Sequence, residues 1–181
     1  MKSFIFCINA SSGGGKTSIT KECEKKFLNS KALYFDDRNY DSDSGINDIC
    51  EWIDNGGDVN LWDLRRLSDD INKLIKDNYE YIILDYPFGY KHKQIGHYLN
   101  YSIYIDTPLD VSMARRILRD YNKETIKTIF EDMEHYLEKG RNAYLFEYEN
   151  IKREADLIID GTLSIEKIVE NIYEKIIRIK K

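Results

Sequence analysis

Lys16 and Thr17 follow three consecutive glycines, Gly13, Gly14 and Gly15, in the stretch INASSGGGKTSIT that begins at Ile8. A lysine and a hydroxyl at the end of a glycine-rich turn suit phosphate binding. Backbone N–H groups can converge on the oxygens where no Cβ obstructs them, the lysine reaches the outer phosphates, and the hydroxyl is offered to Mg²⁺. The pattern for such a loop is glycine, four free positions, then glycine, lysine and serine or threonine. Gly15, Lys16 and Thr17 fit it, whereas Ala10 stands at the leading glycine. Alanine adds one methyl group and requires negative φ at the turn. With that met the loop survives, and a plain glycine-rich hairpin would explain neither the lysine nor the threonine. The candidate nucleotide ligands are Ser11, Ser12, Gly13, Gly14, Gly15, Lys16, Thr17 and Ser18, with Thr17 also a metal ligand.

Carboxylates come next. In YIILDYPFG an apolar run ends in Asp85, which would lie beside the loop at the carboxyl edge of a sheet and could hold Mg²⁺ through its water shell. A strand-terminal Asp capping the turn before Pro87 is the plainer alternative. In YFDDRNYD a second run ends in Asp36 and Asp37. Transfer of a phosphoryl group to an alcohol needs a carboxylate that accepts or orients the hydroxyl proton, and this pair is placed for it, although Asp and Asn also make ordinary polar loops. In ARRILRD, Arg115 and Arg119 share a helical face, and with Arg116 they could neutralise charge on a triphosphate. A solvated helix face is the alternative there.

These groups must be positioned by the rest of the chain. The apolar runs 3–9, 32–35, 81–86, 101–107 and 156–160 are short, rich in Ile, Tyr and Phe, and lack clean alternation, as strands covered on both faces do. Helical periodicity fills the gaps: 17–29, 61–77, a charged segment over 124–150, and a C-terminal stripe from Ile165 to Ile177. Thr107, Pro108 and Asp110 suit N-cap, N1 and N3 of a helix running to Tyr121. Strands alternating with helices predict an α/β fold, a five-stranded parallel sheet with helices on both faces.

At 181 residues a single domain is expected, with a lid around 112–125. A net charge of −5 gives no basic field for nucleic acid, and no run approaches the roughly 20 apolar residues of a membrane span. Neither partner is expected, and the N-terminal apolar run is too short for a signal segment. Cys7, Cys23 and Cys50 match no metal or disulfide spacing, so they read as buried or idle thiols in a reducing cytoplasm. His92, His97 and His135 share no ligand spacing and read as ordinary surface or helix histidines. Tyr40, Trp62, Tyr86 and Phe88 could line a pocket that takes a flat base.

Taken together these blocks resemble the uridine kinase and nicotinamide riboside kinase group of P-loop kinases. INASSGGGKTS is similar to that group's phosphate loop, DDRNY to its acidic-aromatic stretch, and DTPLDVSMARRILRD to its strand, helix and arginine-bearing lid. The resemblance implies the P-loop NTPase fold, ATP as donor with Mg²⁺, and a small-molecule acceptor of nucleoside type. It assigns the catalytic base to Asp36, with Asp37 the alternative, and Asp63 of NLWDL to the ribose hydroxyls. Asp37, Tyr40 and Tyr86 are further candidates at the acceptor. ADLIIDG is similar to the final strand, which puts Asp160, Gly161 and Thr162 near the adenine. Asp85-Tyr86 stands where the family has Glu-Gly. A GTPase switch is disfavoured, since NKET and NKLI both lack the Asp of a guanine reader; a catalytically degenerate binding module is the other alternative. The acceptor, the oligomeric state and the choice between ATP and GTP are not legible in the sequence.

Overall fold

The computed structural model describes residues 2–36, 40 and 44–180. Five strands, β1 (Phe4–Asn9), β2 (Ser30–Tyr34), β3 (Tyr81–Asp85), β4 (Tyr101–Asp106) and β5 (Leu157–Asp160), pair in parallel in the order β2-β3-β1-β4-β5. The chain leaves β1 for one side of the sheet and reaches the other side only with β4. Ligands in such sheets bind beyond the carboxyl ends of the strands where the order reverses, here at the end of β1. The register sets Asp85 opposite Ile8, level with the start of the glycine loop.

Successive strand residues feed two separate cores. Ile5, Cys7, Leu33, Ile82 and Leu84 face one side, where Leu67 and Ile71 of α3 (Arg65–Lys76) cover them. Phe6, Ile8, Ala32 and Ile83 face the other, under Ile19 and Cys23 of α1 (Lys16–Lys26) and Ile168, Val169, Ile172 and Ile176 of α8 (Ile165–Lys180). Because both faces are dry, the strands read as continuous apolar runs. Cys7 and Cys23 are buried free thiols, and Cys50 is half-buried and also free.

Several boundaries differ from expectation, each for a local reason. Helix α1 stops at Lys26 because Phe27 is extended, and Asn29 with φ 50° turns the chain into β2. Helix α3 begins at Arg65, after a short 3-10 turn over Val59–Leu61 that the Asp58 side chain caps. Helix α5 (Leu109–Asp120) takes Pro108, not Thr107, as its N-cap residue, because the Thr107 hydroxyl donates to the Gly14 carbonyl at 3.0 Å. The segment expected as one helix over 124–150 is α6 (Ile126–His135) and α7 (Arg141–Phe146), joined by a π-helical turn at Tyr136–Gly140 and followed by another at Glu147–Ile151. Each π turn inserts a residue and re-aims the side chains after it. The short helices α2 (Ile49–Asp54) and α4 (Lys93–Gly96) were not foreseen. No helix among the described residues is long and apolar enough to cross a membrane.

Candidate active site

Strand β1 hands the chain to the glycine loop, and the loop hands it to α1. Among the described residues only Asn29 and Asn78 have positive φ without being glycine, so Ala10 keeps the negative φ it needs. Its methyl group is buried in the core beside α1. A Cβ on Gly14 would come within 2.8 Å of that methyl, so the two positions are matched in size. Gly15 has φ 98° and is the N-cap of α1, while a Cβ on Gly13 would strike the Ser112 carbonyl oxygen at 2.1 Å. The loop is thus pressed against α5, with backbone geometry closed to L side chains at both positions.

The loop opens on a cavity of about 730 Å³. Ser11, Ser12, Gly13, Gly15, Lys16, Thr17 and Ser18 form one wall, and Arg115 and Arg119 of α5 border it. Asp36, just past β2, faces the same space. The far side is aromatic: Phe35, Trp52, Trp62, Phe88 and Phe146. Trp62 packs edge to face on Phe35 and Trp52, with centroids 6.3 and 5.7 Å apart, and lies tilted on Phe88 at 5.5 Å. A cavity with phosphate-binding backbone at one wall and flat apolar rings at another can hold a triphosphate end and a planar molecule together.

Charge concentrates on Lys16. Its Nζ lies 2.5 Å from Asp85 Oδ1, with the two side chains 13% and 4% exposed. Burial alone would lower the lysine's pKa, but the carboxylates of Asp85, Asp36 and Glu147 hold it above the ordinary value. Glu147, at the start of the second π turn, also lines the cavity. Burial pushes its carboxyl up to about 8, with Lys16 pulling the other way and Asp36 adding to the rise. One oxygen, Oε2, is shielded and has no hydrogen-bond partner. Three carboxyl groups therefore surround one ammonium, and desolvation together with the neighbouring Asp36 favours the protonated form of Glu147.

Sequence reasoning missed Glu147, Tyr144, Phe35, Trp52 and Phe146. Glu147 stands in no local motif, and only the π turns aim it inward. Asp37 lies outside the described residues. Other candidates sit away from the cavity wall. Tyr40 is buried and donates to Asp70 at 2.6 Å. Tyr86 points into the core, where burial raises its hydroxyl well above the usual value. Asp63 pairs with Arg65 at 2.5 Å. Arg116 turns from the loop to pair with Asp132 of α6. Asp160 binds the Thr162 amide and hydroxyl at 2.8 and 2.6 Å, and the Gly161 carbonyl accepts from Arg115 at 3.1 Å. These residues brace the border of the site. His92, expected as an ordinary surface or helix histidine, is buried and donates from Nε2 to the Trp62 carbonyl at 2.8 Å.

The arrangement has counterparts in known proteins, although no family model matches the chain. The uridine kinase of Oceanobacillus iheyensis is 24% identical over 182 aligned positions, covering 87% of this chain and 86% of that one. A uridine kinase of Clostridium botulinum is 25% identical over 91% of this chain and 93% of its own. The chain is similar to uridine kinases over most of its length. Among solved structures, the deoxyadenosine kinase of M. mycoides with its products bound superposes with a TM-score of 0.56 at 15% identity, over 96% of this chain and 98% of that one. TT1252 of Thermus thermophilus gives 0.57 at 15% identity, over 98% of each chain. The fold is that of the P-loop nucleoside kinases. The similarity to uridine kinases extends nearly end to end.

Proposed function

We propose that the chain is an ATP- and Mg²⁺-dependent kinase that phosphorylates a hydroxyl of a nucleoside-like acceptor. The observation that carries this reading is the joint lining of one cavity by Lys16, Thr17, Asp36 and the aromatic wall. Its similarity to uridine kinases over most of its length supports this reading.

MgATP supplies the phosphoryl group and a cation that screens it. The loop amides and Lys16 bind the phosphates, and Thr17 and Asp85 are the oxygen ligands that would hold magnesium. These residues fit the ion, being a hydroxyl and a carboxylate, hard oxygen donors. Among the described residues no group of three or more His, Cys, Asp or Glu could hold a metal, so those residues offer no all-protein cage. That suits an ion that keeps several waters and arrives with substrate phosphates. When Lys16 turns from Asp85 to the phosphates it leaves that carboxylate facing the loop.

Asp36 orients the acceptor hydroxyl and takes its proton as the new O–P bond forms. Arg115 and Arg119 face the charge that develops on the transferred group. Positioning and electrostatics do the work, without a covalent intermediate. The test is the Asp36→Asn variant. It should bind ATP as the wild type does and lose about 10²–10⁴-fold in turnover, the usual contribution of a positioned base. Full turnover in that variant would remove Asp36 from the role and leave the neighbouring Asp37 as the candidate.

A further inference from the structure

Tyr144 of α7 and Glu147, just past the end of that helix, both border the cavity. Three residues apart on a continuous helical run, they share one face. The Tyr144 hydroxyl meets the side chain of Ser12 in the glycine loop. The Glu147 carboxyl lies within charge reach of Lys16 and Asp36. This face therefore runs from the phosphate loop to the carboxylate assigned to the acceptor, along the line that a phosphoryl group would travel between them. The helix is held there from both ends. Tyr136 packs edge-on against the Tyr144 ring with centroids 5.3 Å apart, and Phe146 packs on Trp52 at 5.2 Å. A Cβ on Gly57 would come within 2.6 Å of the Phe146 ring, and Asn150 donates to the Phe146 carbonyl at 3.0 Å.

The Tyr86 hydroxyl is shielded in the core, whereas Tyr144 is half-buried on the cavity wall with its hydroxyl at the loop. Burial raises the Tyr144 pKa above the ordinary value, with Arg116 and Ser12 pulling the other way, so the phenol keeps its proton at neutral pH. Ser12 can donate to the phenolic oxygen, which leaves the phenol's own proton to be given elsewhere. A phenylalanine would serve the packing on Tyr136 equally well; the hydroxyl is the part that reaches the loop.

We propose that Tyr144 binds the terminal phosphoryl group of the donor nucleotide: its hydroxyl donates a hydrogen bond to an outer oxygen of that group, so the site tells a triphosphate from a diphosphate in part through this one donor. This rests on the kinase reading for the identity of the donor, while the contact itself is a property of binding. A hydrogen bond to a charged phosphate is among the stronger ones. A donor fixed in place where charge gathers needs no reorganisation when the group is transferred.

The test is Tyr144→Phe, which removes the hydroxyl and keeps the ring on Tyr136. Calorimetric titration with MgATP and with MgADP, in the absence of an acceptor, reads the contact apart from turnover. MgATP affinity should fall roughly tenfold, the worth of one hydrogen bond to a charged group. MgADP affinity should stay as in the wild type, which also shows that the variant is folded. Equal weakening of both nucleotides would put the hydroxyl on a phosphate that they share, or make its role structural. Unchanged affinity for both would mean that it touches neither. Either result overturns the inference, and with Asp36-dependent turnover intact it leaves the kinase reading standing. A wild type that binds no MgATP removes that reading and this inference with it.

Discussion

Lys16 Nζ lies 2.5 Å from Asp85 Oδ1, and both side chains are almost closed to solvent. The lysine that would meet the phosphates is therefore held by the carboxylate that would meet the metal. A buried ion pair adds little net stability against apolar residues of similar size, but losing one partner strands the other. In Lys16→Ala the Asp85 carboxylate loses its cation, and a destabilisation of about 3–5 kcal/mol is expected in urea unfolding. The double variant Lys16→Ala/Asp85→Asn should recover part of that loss. Additive effects of the two changes would mean the pair is not coupled. ATP binding should fail in both the single and the double variant, because the lysine's phosphate contact is gone either way.

Glu147 gives the protein a pH-dependent stability of definite sign. Its carboxyl is raised from 4.5 to about 8, so between these values the folded protein keeps a proton that the unfolded chain has lost. The contribution is fully present below about pH 4.5 and falls as pH rises toward 8. Glu147→Gln keeps the shape and cannot ionise. Unfolding free energies of variant and wild type should agree near pH 5 and diverge by up to a few kcal/mol near pH 8, with the variant the more stable. Parallel stability curves would show that Glu147 is not a buried acid.

The two neighbouring arginines should separate cleanly. Arg115 borders the cavity and reaches the Gly161 carbonyl, whereas Arg116 joins α5 to α6 through Asp132. Arg115→Ala should lower turnover with little change in melting temperature. Arg116→Ala should cost about 1–3 kcal/mol, leaving Asp132 in a half-closed site without its partner. Its effect on ATP affinity should be smaller than that of Arg115→Ala. The reverse ranking in ATP affinity would place Arg116, not Arg115, at the phosphates.

Ala10→Gly restores the usual loop letter, yet no gain is expected. The backbone there already has negative φ, and the alanine methyl is buried against the position of Gly14. Glycine would lose that contact and add unfolded-state freedom, lowering stability by about 1–2 kcal/mol with turnover unchanged within roughly twofold. A large rise in turnover would show that the methyl group obstructs the site.

The parallel sheet was legible because each strand is covered on both sides and so appears as an unbroken apolar run. The loop was legible because its chemistry is local: Gly15, Lys16 and Thr17 are adjacent in the chain, and Asp36 and Asp85 end apolar runs. Tertiary choices were not. Thr107 looked like a helix cap, but its hydroxyl goes to a loop carbonyl on another element. Arg116 shares its sequence block with Arg115, yet the two point to different neighbours because one helical step of about 100° separates them. Glu147 and Phe146 reach the cavity only through π turns, which break the 3.6-residue period on which a sequence reading depends. His92 looked like an ordinary surface or helix histidine because nothing nearby in the chain announces its partner at Trp62.

Acceptor-dependent release of ADP from MgATP, measured with purified wild-type protein across nucleosides, other ribosides and small alcohols, tests the kinase reading most directly. One or more ribosides should raise turnover far above the acceptor-free rate, give a phosphorylated product by mass, and lose that turnover in Asp36→Asn. ATP that binds through Lys16 but is not transferred to any member of the panel would contradict it, and would make the chain a nucleotide-binding module on a kinase fold.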